Sequence, residues 1–190
     1  MRNTLLMLTA LAALGCSRET SHSADAAKGG ASEPSAAATA SAQPPRHHAI
    51  LSPTQGNSAS GRIELIPTDG VLTLTGSITG LEPNSEHGFH IHEKGDCSAP
   101  DASSAGGHFN PTSKAHGNPD SPPHHAGDMS NLVADAQGTA QVNAKLEGVT
   151  AGGGPTSLLG KAIVVHAQAD DYKSQPAGNS GARIACGVIQ

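Results

Sequence analysis

Val71-Leu72-Thr73-Leu74-Thr75-Gly76-Ser77-Ile78 is the stretch on which the fold turns. Leu72, Leu74 and Ile78 fall on one side of a period of two, and Thr73, Thr75 and Ser77 on the other, which predicts a half-buried strand. Immediately upstream, Thr68-Asp69-Gly70 is a tight-turn signal, and Arg62-Ile63-Glu64-Leu65-Ile66 alternates in the same way. Downstream, Asp135-Ala136-Gln137-Gly138 is a second turn and leads into the alternating run Gly138–Leu146. Lys161–Ala167 and Arg183–Ile189 are compact apolar runs of strand length. No window carries a helical stripe. The Ala-rich segment 24–42 contains Gly29, Gly30 and Pro34 and lacks an apolar face. An all-β sandwich or barrel is expected.

Two stretches break this rhythm. Lys94–Asn131 is dense in Gly, Pro, Ser and His, and Asp170–Ala182 is a shorter stretch of the same kind. Unstructured loops of such length inside a compact domain are usually functional or disordered. Met1–Gly15 reads as a secretion signal, with Arg2 followed by an apolar run from Leu5 to Leu14, too short to span a bilayer. Ala13-Leu14-Gly15-Cys16 is similar to a bacterial lipoprotein cleavage box, which makes Cys16 the expected lipid attachment point. Residues 16–45 then form a tether: Ser17–Pro45 has no Leu, Ile, Val, Phe, Tyr or Trp and cannot bury enough apolar surface to offset ordering. Its typical span would be roughly 30 Å.

The globular part is expected over 46–190, one domain. It carries 8 Lys and Arg against 13 Asp and Glu, a formal −5, with no basic patch, which argues against a nucleic-acid partner. The location is therefore expected to be exported, periplasmic or cell-envelope, with the membrane reached only through the lipid. With Cys16 lipidated, Cys97 and Cys186 remain, and such a pair in an exported chain reads as a disulfide.

Histidine is the unusual component: 11 of them, against one Tyr, two Phe and no Trp. His90 and His92 are two apart on an expected strand, so both side chains leave the same face. His166 sits in a later strand. His116, His125 and Asp128 offer two imidazoles and a carboxylate, and with His108 they make a closed tetrahedral set of the kind that holds structural zinc. His108 lies between the two groups and has two ring nitrogens, one for each. Imidazole suits copper and zinc.

These residues carry a close resemblance. Gly88-Phe89-His90-Ile91-His92-Glu93, Gly107-His108-Phe109-Asn110-Pro111, His116-Gly117, His125-Ala126-Gly127-Asp128, Val165-His166 and Gly181-Ala182-Arg183-Ile184-Ala185-Cys186-Gly187-Val188 resemble the copper–zinc superoxide dismutases, in order, over about residues 48–190. The resemblance implies an eight-stranded Greek-key flattened barrel with long metal-binding and active-site loops. It implies copper on His90, His92, His108 and His166, zinc on His108, His116, His125 and Asp128, and Asp170 as the acid linking His90 with His116. His87 matches a histidine that props loops, and Arg183 matches the arginine that guides the anionic substrate. The implied reaction is dismutation of superoxide to dioxygen and hydrogen peroxide by a redox-cycling copper bridged through His108 to a structural zinc. The rival is a periplasmic copper or zinc carrier on the same fold. His22, His47, His48 and His124 have no counterpart in the catalytic pattern, and the tail histidines are expected to be solvated. Lys114 and Lys173 are possible additions to the field at the copper. Related bacterial proteins occur as monomers and as dimers, so both a monomer and a homodimer are compatible.

Overall fold

A computed structural model describes residues 46–190. The signal segment 1–15, Cys16, the tether 16–45 and His22 lie outside the described residues. Nine strands follow in chain order: β1 His47–Pro53, β2 Ser60–Thr68, β3 Val71–Thr79, β4 Glu86–His87, β5 Phe89–His92, β6 Leu132–Val133, β7 Ala140–Leu146, β8 Ala162–His166 and β9 Arg183–Val188. Counting β4 and β5 as one run interrupted at Gly88 gives the eight expected. The long stretch after His92 contains only a 3₁₀ turn, Ser103–Ala105, and the short strand β6.

Seven strands form one antiparallel sheet in the order β5-β8-β9-β1-β2-β3-β7, and β4 pairs with β6. β1, β2 and β3 are a meander. The chain then crosses to the far edge as β5, returns beside β3 as β7, and crosses again to place β8 between β5 and β9. These crossings are the Greek-key connections. Leu51, Ile63, Leu65, Leu74 and Ile78 share one buried cluster with Phe89, Ile91, Ile163, Val165 and Ile189, so the two ends of the sheet face each other over a common core. Each wholly buried Leu or Ile contributes roughly 1.5–3 kcal/mol. Gly76 has φ +151, and a Cβ there would lie 2.1 Å from the Arg62 carbonyl oxygen, which accounts for the glycine inside β3.

β1 corrects one expectation. His47 and His48 are not solvated tail residues but open the first strand, both half-buried, with His48 paired across to Glu64. Ala49 and Leu51 point into the core while Ile50 points outward, 54% exposed. That exposed isoleucine disguises the alternation.

The site depends on what covers β5, β8 and β9. In β5, Phe89 and Ile91 join the main core, so His90 and His92 point to the opposite face. On that face, Val164 and Ala162 of β8 and Cys186 of β9 form a second small cluster with Ala102 and Ala105 from the 3₁₀ segment. The long loop is thus folded back over the outer face of these strands. Both faces are covered, and every residue of β5 and β8 is buried. Cys97 and Cys186 are joined in a disulfide that fastens the loop there.

Candidate metal centre

His90, His92, His108 and His166 form one buried group, and His108, His116, His125 and Asp128 a second, the ligand atoms within each lying within 4.8 Å of one another. All seven residues singled out as ligands in the sequence come together, and His108 belongs to both groups. The backbone explains how. A β-bridge joins His92 to His108 and another joins His90 to Asp128, so the loop ligands are tied directly to β5. In β8 the pairing with β9 shifts register between Val165 and His166, a bulge that re-aims the strand's last side chain.

Hydrogen bonds fix which nitrogen of each ring faces inward. His90 Nε2–H donates to Asp170 Oδ2 at 2.7 Å, and His116 Nε2–H donates to Asp170 Oδ1 at 3.0 Å. His92 Nδ1–H donates to the Gly106 carbonyl and His166 Nδ1–H to the Gly181 carbonyl. Each acceptor has only lone pairs, so the other nitrogen of each ring carries a lone pair turned into the cluster. His90 Nδ1, His108 Nε2, His116 Nδ1 and His125 Nδ1 are buried without any hydrogen-bond partner. Several unpartnered buried acceptors would be costly in a purely structural core, and they fit a site built for cations.

The second group has the dimensions of a tetrahedral ion. Asp128 Oδ1 lies 2.8, 3.0 and 3.2 Å from Nδ1 of His108, His116 and His125. Zinc–nitrogen bonds of about 2.0–2.1 Å give a tetrahedral edge of about 3.3 Å. The other oxygen, Asp128 Oδ2, accepts the backbone N–H groups of Gly117 and His125. The residues present therefore fit zinc in this group and an imidazole-bound copper in the other.

Charge states favour metal. Burial pushes His108 down to about 4, partly offset by its contact with Asp128. Burial pushes His166 down to about 3 and His92 to about 2. These rings are neutral, as ligands must be. Burial alone would raise Asp128, but the His108 ring, the nearby His125 ring and the backbone N–H groups of His125 and Gly117 outweigh it and hold its carboxyl below the ordinary range. Asp170 is likewise held low, its burial outweighed by His90, the Tyr172 N–H and His116. Gly178, at φ +63, packs directly on this link: a Cβ would fall 1.7 Å from Asp170 Oδ1 and 2.8 Å from His116 Nε2.

Arg183 sits at the mouth. With His92, His108 and His166 it lines a cavity of about 480 Å³ beside the first group. Its guanidinium donates to the Ala102 and Gly106 carbonyls, each at 2.6 Å. Lys114 and Lys173, expected as possible contributors to this field, do not line that cavity; Lys114 lines a separate groove together with His124. His124 Nδ1–H donates to the His125 carbonyl and does not join the zinc-type group. His87 donates from Nδ1 to the His166 carbonyl at 2.8 Å and so props a ligand strand. Sequence reasoning missed Asn131, Tyr172 and Gln175. Each lies in a loop where no periodicity distinguishes a structural amide or phenol from a solvated one.

Comparison with known proteins agrees with this geometry. The family model described as "Copper/zinc superoxide dismutase" matches residues 59–189. A "Superoxide dismutase [Cu-Zn] 2" of Aquifex aeolicus is 47% identical over 149 residues, covering 75% of this chain and 85% of that protein. A "Superoxide dismutase [Cu-Zn]" of Candida glabrata is 42% identical over 147 residues, covering 74% of this chain and 94% of its own. Among solved structures, the crystal structure of a SOD-like protein from Bacillus subtilis superposes with a TM-score of 0.68 at 42% identity, covering 75% of this chain and 97% of that one.

Proposed function

Because the chain belongs to the copper/zinc superoxide dismutase family, we propose that its superoxide dismutase activity runs through His108 as the shared ligand of two metals. His90, His92, His108 and His166 would hold copper, and His108, His116, His125 and Asp128 would hold zinc. When bound, copper supplies one-electron exchange with superoxide and zinc a fixed positive charge. Two superoxide anions and two protons give dioxygen and hydrogen peroxide.

Within that reaction the chain's residues divide the work. His108 Nδ1, 2.8 Å from Asp128 Oδ1, would face the zinc group and keep the ring in place. His108 Nε2, buried and without a partner, would take up a proton and give it to the reduced second substrate. Arg183 holds the anion beside His92, His108 and His166 by charge and hydrogen bonding, with Nη1 and Nη2 already anchored to carbonyls. Asp170 keeps the rings of His90 and His116 turned correctly.

The single observation that carries this reading is the position of His108 in both groups, with its Nε2 buried and unpartnered and its Nδ1 2.8 Å from Asp128. Metal analysis of active protein should give one copper and one zinc per chain. His125→Ala should lose zinc while His124→Ala keeps it. Protein that is active with iron or manganese, or that loses zinc on the His124 change alone, would overturn the assignment.

A further inference from the structure

The two loops that build the centre hold each other by a symmetrical exchange of side-chain amides. Asn131, at the end of the first loop, reads the backbone of Asp170 in the second: Asn131 Oδ1 accepts the Asp170 N–H at 2.9 Å and Asn131 Nδ2 donates to the Asp170 carbonyl at 3.0 Å. Gln175, in the second loop, reads the backbone of His116 in the first. Gln175 Oε1 accepts the His116 N–H at 2.9 Å and Nε2 donates to the His116 carbonyl at 2.9 Å. The two residues so held are the two that meet in the middle, His116 Nε2–H donating to Asp170 Oδ1. Tyr172 closes the arrangement, accepting the Asn131 N–H on its hydroxyl while its own N–H donates to Asp170 Oδ1.

We propose that Asn131 and Gln175 are a reciprocal pair of positioning residues that set His116 and Asp170 in register, so that the zinc ligands are pre-arranged. Neither amide belongs to the ligand groups. Fixing the backbone of a loop residue costs conformational entropy, and neither His116 nor Asp170 lies in a strand that would bear that cost. Without the amides, ordering these residues would fall to the metal and reduce its apparent affinity. A side-chain amide carries a donor and an acceptor on separate atoms, so it can satisfy the N–H and the C=O of one residue together, which explains why amides stand here. Since each clamp holds the loop from which the other projects, losing one should weaken the other.

This inference rests on the assignment of zinc to His108, His116, His125 and Asp128. The test uses full-length, metal-loaded protein and two readouts: the rate of zinc transfer to a colorimetric chelator, and the visible spectrum of cobalt(II) in the zinc position. Asn131→Ala and Gln175→Ala should each release zinc about tenfold faster or more and shift the cobalt bands. The double variant should be slower than the product of the single effects predicts, the mark of coupled sites. Gln175→Glu keeps the size and the acceptor but sets a carboxylate oxygen against the His116 carbonyl, so it should behave like the alanine variant; it carries the test alone should the alanine variants not fold. Wild-type zinc release and spectrum in the variants, even with a lower melting temperature, would overturn the proposal, as would strict multiplicativity in the double variant. If the wild type takes up no zinc, the reading of the centre fails; if the wild type and variants hold it equally well, only the clamps fail.

Discussion

The two ends of one sheet solve opposite problems. β2, β3 and β7 bury one face and leave the other to solvent, and none of their residues is among the buried polar ones. β5 and β8 are buried on both faces, and the surface they share with the long loops contains the buried acids and every buried histidine but His87: His90, His92, His108, His116, His125, Asp128, His166 and Asp170. One end is held by apolar contact and a regular ladder. The other is held by imidazoles, carboxylates, a disulfide and side-chain amides. Ladder and core stability changes little with pH, redox state or metal, whereas the polar end should respond to all three.

Acid should separate the two ends most. His92, His108 and His166 are held neutral, at about 2, 4 and 3, against about 6.5 when unfolded. As pH falls below 6.5 the unfolded chain gains protons that the folded chain refuses, so stability is lost on acidification, until each folded value is reached. The loss by pH 5 is about 2 kcal/mol per histidine. Asp128, held low, acts in the same direction but only below about 4. Metal-free protein should therefore show a marked fall in its urea midpoint between pH 7 and pH 5, and copper with zinc should restore it. An unchanged midpoint would mean that these rings are not held neutral by the fold.

Reduction should act next. Cys97 and Cys186 are 89 residues apart, and the bond between them lies against Ala102, Ala105, Ala162 and Val164. A cross-link closing so long a loop stabilises by about 4–5 kcal/mol at most in the chain-entropy model. Ala102 also supplies a carbonyl to Arg183, so the consequence reaches the cavity mouth. Thermal unfolding with and without reductant should show a lower midpoint on reduction, together with lower activity at temperatures where the domain stays folded. Equal midpoints would show that packing alone holds the loop.

The same contrast decides how far the sequence could be read. Arg62–Ile66, Val71–Ile78 and Gly138–Leu146 alternate because one face is wet, and each falls within or across an observed strand. β1 was hidden by the outward-facing Ile50, and β6 by its two-residue length and by Val133, 64% exposed. The ligand residues were legible because imidazoles two apart on a strand, and a His-x-x-Asp on a turn, have few other uses. Of their supports, Asp170 and His87 were legible only through the resemblance, and Asn131, Tyr172 and Gln175 were not legible at all. Asn131 and Gln175 act through backbone groups of residues that are distant in sequence, a relation that no local pattern encodes.

Arg183 offers the smallest and sharpest test, because it is the charge that the polar end presents to a small anion. The chain's formal charge is −5. Two divalent ions and one imidazolate would leave it at about −2, so bulk attraction cannot bring superoxide in, and the field must be local to the cavity. Burial lowers the Arg183 pKa and the nearby Asp101 partly opposes that; from an ordinary value of 12.5 the guanidinium remains charged. Arg183→Ile should cut kcat/KM by about tenfold or more, equivalent to about 1.4 kcal/mol, with copper content unchanged because Arg183 is not a ligand. It should also flatten the dependence of rate on ionic strength, since the screened charge is gone. Arg183→Lys keeps the charge but not the fork that spans the Ala102 and Gly106 carbonyls, so it should fall between the two. Rates across ionic strength by pulse radiolysis decide the matter: a fully copper-loaded Arg183→Ile protein that retains wild-type rate and salt dependence would make the arginine a brace for the loop and nothing more.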